Sequence, residues 1–197
     1  MSLARCVGGR ASSSWAGLIA MAVFLGFSFV RSDPAATFPP DLLAATRAAV
    51  ARFAGVDAAL AAGYRPQPSD GPVVHYLNAS YLRQGRVLDP RHPEALVYLR
   101  DTTGSLRLVA AMFMRHRPGQ HGPTVDGSTA GWHTHTSCWG VGGLGIPIPG
   151  GACPEGTRLV RTPEMLHVWL IPVPGGPRAT DMTAPAFRCD VAALLTS

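Results

Sequence analysis

From residue 42 to residue 60 the apolar positions Leu42, Ala45, Ala49, Phe53, Val56 and Leu60 recur at three- and four-residue steps, with Arg47 and Arg52 on the other side. That period is helical. Asp41, following Pro39-Pro40, stands where a helix cap belongs; Gly55 before Asp57 predicts a split into two helices, and Gly63 with Pro66 predicts the end of the segment. Beyond Pro66 the pattern changes. Residues 73–78, 95–100, 106–115 and 166–171 are short runs rich in Val, Leu, Tyr, Phe and Trp, bounded by Gly, Pro or Asp, as strands are. Asp101-Thr102-Thr103-Gly104 predicts a hairpin between the middle two. The expected fold class is α+β: an N-terminal helical segment packed on a mainly antiparallel sheet that curls towards a barrel. Long punctuated stretches at 89–93, 118–131 and 140–156 read as loops, which in a compact domain are more often functional than short connections.

Before Leu42 the pattern is of another kind. Arg5 and Arg10 precede an uncharged apolar run, Trp15 to Val30, which predicts a signal peptide or signal anchor over residues 1–32 and a single globular domain over 33–197. The run is short for a membrane span, so contact with a membrane is expected only through an uncleaved leader. The expected location is therefore outside the cytoplasm: periplasmic, secreted or anchored facing outward.

The leader changes the charge argument. The chain carries a net +5, but Arg5, Arg10 and Arg31 have no acidic counterpart within residues 1–32, and without those three charges the domain is left at +2. There is no Lys, and the remaining Arg residues are interleaved with Asp and Glu, so neither a basic stripe nor a nucleic-acid-binding motif is present. Cys6 lies ahead of the apolar run, leaving Cys138, Cys153 and Cys189 in the exported part. A bridge between Cys138 and Cys153, closing the Gly/Pro-rich loop between them, is the expected arrangement in an oxidising compartment. The alternative makes Cys138 a thiolate ligand for zinc or copper.

Candidate chemistry rests on histidine. If residues 132–136 are extended, the i, i+2 spacing puts His133 and His135 on one face, where two neutral imidazoles can meet one ion. His75 and His167 sit singly in apolar strand-like runs, each of which would usually hold a satisfied core residue, but together the four can supply a three- or four-nitrogen site beside Tyr76, Trp132 and Trp169. His92, His116 and His121 fall in Pro-, Arg- and Gly-rich stretches and are expected to be solvated. Glu164 and Tyr76 are the candidates for moving a proton. Asn78-Ala79-Ser80 fits a glycosylation sequon. No phosphate loop, dinucleotide fingerprint or serine nucleophile elbow is present.

The ordered set Gly63-Tyr64-Arg65-Pro66, His75-Tyr76-Leu77-Asn78, Leu88-Asp89-Pro90 through Pro93-Glu94-Ala95-Leu96-Val97-Tyr98, Trp132-His133-Thr134-His135 with Cys138, and Met165-Leu166-His167-Val168-Trp169 resembles an uncharacterised family of exported bacterial proteins. The resemblance spans about residues 55–172 and groups His75, His133, His135 and His167 as motif residues, without implying a reaction. After it the chain departs from the family pattern at Pro172-Val173-Pro174-Gly175-Gly176-Pro177. Gly131 and His133-Thr134-His135 also resemble the cupin metal motif, although Trp139-Gly140 stands where cupins carry a glutamate.

Three readings follow. The first is an exported protein with a histidine-rich site for zinc or copper, taking a metal ion or small molecule as partner. The second is a metal-dependent enzyme of hydrolytic or oxygen chemistry, and the third is an envelope interaction module whose histidines form a structural network.

Overall fold

The computed structural model describes residues 41–68, 72–140, 143–145 and 153–180, all within the compact unit Phe38–Ser197. The leader, Cys6 and Cys189 lie outside the described residues. Helix α1 (Leu42–Val50) is capped by the Asp41 carboxylate, which accepts the Ala44 N–H at 2.8 Å, and runs into a 3-10 turn at Ala51–Phe53. Gly55 separates it from α2 (Val56–Ala61), as the spacing predicted.

Two antiparallel sheets follow. The larger has the order β1 (Arg65–Pro66), β2 (Val73–Leu77), β3 (Ala95–Arg100), β4 (Leu106–Met114) and β8 (Met165–Trp169). In the smaller, β5 (Thr136–Gly140) is flanked by β6 (Gly143–Gly145) and β7 (Arg158–Arg161). The β3–β4 hairpin forms where expected: Asp101 Oδ1 accepts from the N–H groups of Thr103 and Ser105, and Gly104 takes the positive φ the turn needs. No pairing among the described residues closes the larger sheet into a barrel.

Strand alternation divides the larger sheet into two faces. On one, Val74, Tyr76, Leu96, Tyr98 and Ala111 pack under the helical segment against Val50, Phe53, Ala59 and Tyr64. Leu166, Val168 and Phe113 continue that face towards Leu42 and Leu88. The other face carries Val97, Ala110, Met112, Met165 and Trp169, and is covered in part by Leu82, Ile171, Val173 and Ala179. Burying each large apolar side chain in these layers stabilises the fold by about 1.5–3 kcal/mol. Val97 pairs with Ala110 but Tyr98 with Leu108, so Val109 is an extra residue that lets β4 bend against β3, the local effect of a bulge.

Strands β1, β6 and β7 and helix α3 (Ala79–Gln84) have no counterpart among the predicted elements; β6 falls within the stretch 140–156 predicted as a loop, and β5 begins only at Thr136, where the predicted extended segment ends. Helix α3 is capped by Asn78, whose Oδ1 accepts from Ser80 N and Tyr81 N while Nδ2 donates to Ala62 O. Asn78 is 2% exposed, so the sequon is closed to a glycan in the folded chain. Strand β7 has mostly exposed side chains and is held by its pairing with β5.

Candidate functional site

Strand pairing presents two of the four motif histidines, and a bridge and a side-chain clamp present the others. His75 is the middle residue of β2 and pairs with Val97, while His167 is the middle residue of β8 and pairs with Met112. His133 forms an isolated antiparallel bridge with Met165 through two backbone hydrogen bonds of 3.0 and 2.8 Å, adding one residue to the outer edge of β8. His135 is clamped by the buried Thr162, whose Oγ1 accepts the His135 N–H at 2.9 Å and whose N–H donates to the His135 carbonyl at 2.8 Å. Thr162 is a positioning residue that the spacing of histidines does not reveal.

These devices bring the four rings together. His133 and His135 have ring centroids 4.8 Å apart, His133 and His167 5.2 Å, and His75 and His167 5.9 Å. Two strands, β3 and β4, lie between His75 and His167 in the sheet. Across a flat sheet their backbones would be about 14 Å apart, at roughly 4.8 Å per strand. Their rings nevertheless meet, on the face of the sheet that also carries the small Ala95 and Ala110. Trp169, two residues along β8, stacks on His167 at 5.6 Å and 19°.

The polar atoms are unevenly satisfied. The Nδ1 of His133 lies 2.8 Å from the Gly131 carbonyl, which can only accept, so Nδ1 carries the proton and the Nε2 lone pair is left over. That Nε2 is buried without a hydrogen-bond partner, as are both ring nitrogens of His167, itself 1% exposed. Only Thr46 Oγ1 and Arg115 Nε share that condition among the described residues. Burial lowers the pKa of His75 to about 4, with the His135 ring adding to the effect. Burial also lowers those of His135 and His167, the latter further depressed by His75, His133 and His135. At neutral pH these three rings are therefore uncharged, each with one lone pair and one N–H. Among the described residues, no set of three or more His, Cys, Asp or Glu side chains is arranged to hold a metal ion. The rings are adjacent, but in edge-on and stacked orientations.

Several expected neighbours stand elsewhere. Tyr76 follows His75 in β2, so alternation sends it to the helix-covered face, where it meets Tyr98 edge-on at 5.0 Å. Trp132 likewise packs with the Leu42 and Leu166 cluster, its Nε1 donating to Pro123 O at 2.9 Å. Of the three flanking aromatics only Trp169 lines the cluster. Both Glu164 oxygens are engaged, one 2.9 Å from His121 Nδ1 and one accepting the Gly122 N–H at 2.8 Å. Burial acts to raise the Glu164 pKa, but these two hydrogen bonds outweigh it and hold the carboxyl below its usual value. A carboxylate so held is a poor proton donor at neutral pH.

Cys138 and Cys153 form a disulfide, with Cα atoms 5.5 Å apart. The bridge removes Cys138 as a thiolate ligand, because its sulfur is already committed. It is also consistent with an oxidising, exported environment. One titratable group enters the sequence pattern only as part of a motif, with no sign of its burial. Glu94, at the entry to β3, is 2% exposed, accepts the Met114 N–H on Oε2 at 3.0 Å, and has its pKa pushed up by burial to about 7. Its only signal in the sequence is a carboxylate set against the buried run Ala95 to Leu99.

No family model, curated protein or solved structure matches the chain.

Proposed function

We propose that this chain is an exported transition-metal-binding protein whose ligands are drawn from His75, His133, His135 and His167, with zinc or copper as the ion. The observation that carries the reading is the concentration of unpartnered, buried ring nitrogens at His133 and His167. Leaving such an atom unsatisfied costs about 1–3 kcal/mol, and a metal–nitrogen bond removes that cost. With metal–nitrogen bonds of about 2.0–2.1 Å, two imidazoles on a tetrahedral ion have ring centroids roughly 5 Å apart. The spacings of 4.8 to 5.9 Å support the same reading. What binding requires is rotation of the rings about χ2, a soft torsion for histidine. The Gly131 carbonyl behind His133 Nδ1 is the outer partner that a liganding imidazole ordinarily keeps.

Export rests on the basic, then apolar, leader over residues 1–32 and on the Cys138–Cys153 bridge. A second reading, a structural histidine network, draws support from the stack of His133, His167 and Trp169. Metal content separates the two. Purified untagged chain should retain zinc or copper in stoichiometric amount, His133→Ala should lose most of it together with thermal stability, and the control His116→Ala should change neither. Metal-free wild type after loading with either ion, or equal behaviour of the two variants, would leave the structural network as the account.

A further inference from the structure

The face that presents the histidines also presents thioethers. Met112 is the direct cross-strand partner of His167 in the β4–β8 pair, and Met165 is the direct partner of His133 across the isolated bridge. Cross-strand partners project from the same face with Cβ atoms about 4.5–5.5 Å apart, so each of these methionines is a nearest neighbour of a ring with unpartnered nitrogens. Both are 5% exposed and belong to the apolar layer on which the rings rest. Met112 has the small Ala95 as its neighbour on β3.

From this placement we infer that the site takes copper(I), with the thioether sulfurs of Met112 and Met165 completing a set of neutral imidazoles. The inference rests on the metal-binding reading above and deepens it. Thioethers are soft donors that favour copper(I) and add little to a zinc site, whose usual ligands are imidazole, thiolate and carboxylate. The donors are uncharged, with Cys138 held in a disulfide and both oxygens of Glu164 engaged elsewhere. A buried, uncharged set of nitrogen and sulfur donors suits a monovalent soft ion better than a divalent one, because less charge has to be taken out of water.

The test compares two ions on the full chain. Copper(I) affinity is measured under ascorbate against a chromophoric copper(I) chelator, and zinc affinity against a zinc chelator, for wild type, Met112→Leu, Met165→Leu and the double variant. Leucine replaces methionine at nearly constant volume, so folding is preserved. X-ray absorption of the copper(I)-loaded wild type supplies a readout that needs no variant. We expect sulfur scattering at the copper, lost in the double variant. Copper(I) affinity should fall at least tenfold in Met112→Leu or Met165→Leu, with zinc affinity unchanged. Nitrogen-only scattering, or copper(I) affinity unaltered in the double variant, would overturn the thioether assignment while leaving the imidazole site standing. Failure to bind either ion would overturn both.

Discussion

At the scale of single residues, three of the four rings are held neutral by burial, and that has a consequence in acid. The His75 pKa lies at about 4 in the folded chain against 6.5 for the free side chain. Between those values the unfolded chain binds more protons than the folded one, so stability rises with pH across that window and is lost as pH falls through it. His135 and His167 are shifted in the same direction and add to the effect. The melting temperature of metal-free protein should therefore drop between pH 6.5 and pH 4, and drop less in His75→Gln, which has no ring to protonate. A flat profile for the wild type would show that the rings are not buried as described. Cys138 is a contrasting case: the bridge to Cys153 is the arrangement its spacing predicts and the one that forms, so the alternative of a thiolate ligand beside the histidines falls away.

At the scale of elements, Gly131 couples the backbone to the site. Its φ is +99°, and a Cβ there would meet Leu166 Cδ1 at 2.7 Å and Arg178 Cβ and O at 3.0 Å. Gly131→Ala should cost about 1–3 kcal/mol, from the left-handed backbone and the displaced neighbours together. It should also weaken metal binding by moving the carbonyl that sets the His133 tautomer, an effect measurable by chelator competition. Unchanged affinity in a folded Gly131→Ala variant would dissociate that carbonyl from the site.

Elements bearing a strong local pattern were legible from the sequence. The helical period from Leu42, the run Ala95 to Arg100 and the Asp101–Gly104 turn all lie where they were read. Strand β7 was not, because its side chains are mostly exposed and only its pairing with β5 makes it a strand. Helix α3 has six residues, none buried, so its sole signal was Asn78 as a cap, read instead as a sequon. His75 and His167 stand out as polar residues in apolar runs, and His133 and His135 by their i, i+2 spacing. Their neighbours do not: that Met112 lies opposite His167, that Thr162 clamps His135, and that Tyr76 and Trp132 turn away all depend on register or pairing between distant segments.

At the scale of the whole molecule, the larger sheet is a platform with a helix-covered face and a face that gathers the histidines, and the smaller sheet continues from the His133–His135 segment. The Cys138–Cys153 bridge, spanning 15 residues, should contribute about 3 kcal/mol by restricting the unfolded chain. A Cys138→Ser, Cys153→Ser double variant should therefore denature at lower denaturant concentration yet keep its metal affinity, since neither sulfur is a ligand. Loss of metal from that variant under conditions where it remains folded would return Cys138 to the ligand set.

The most direct measurement is the nitrogen-15 NMR spectrum of the imidazoles during zinc titration of metal-free protein. The account predicts that His133 Nε2 and one His167 nitrogen shift together up to stoichiometric zinc, while His133 Nδ1 keeps its proton and its bond to Gly131 O. Ring resonances of His133 and His167 that stay unmoved both in excess zinc and in excess copper(I) would contradict it.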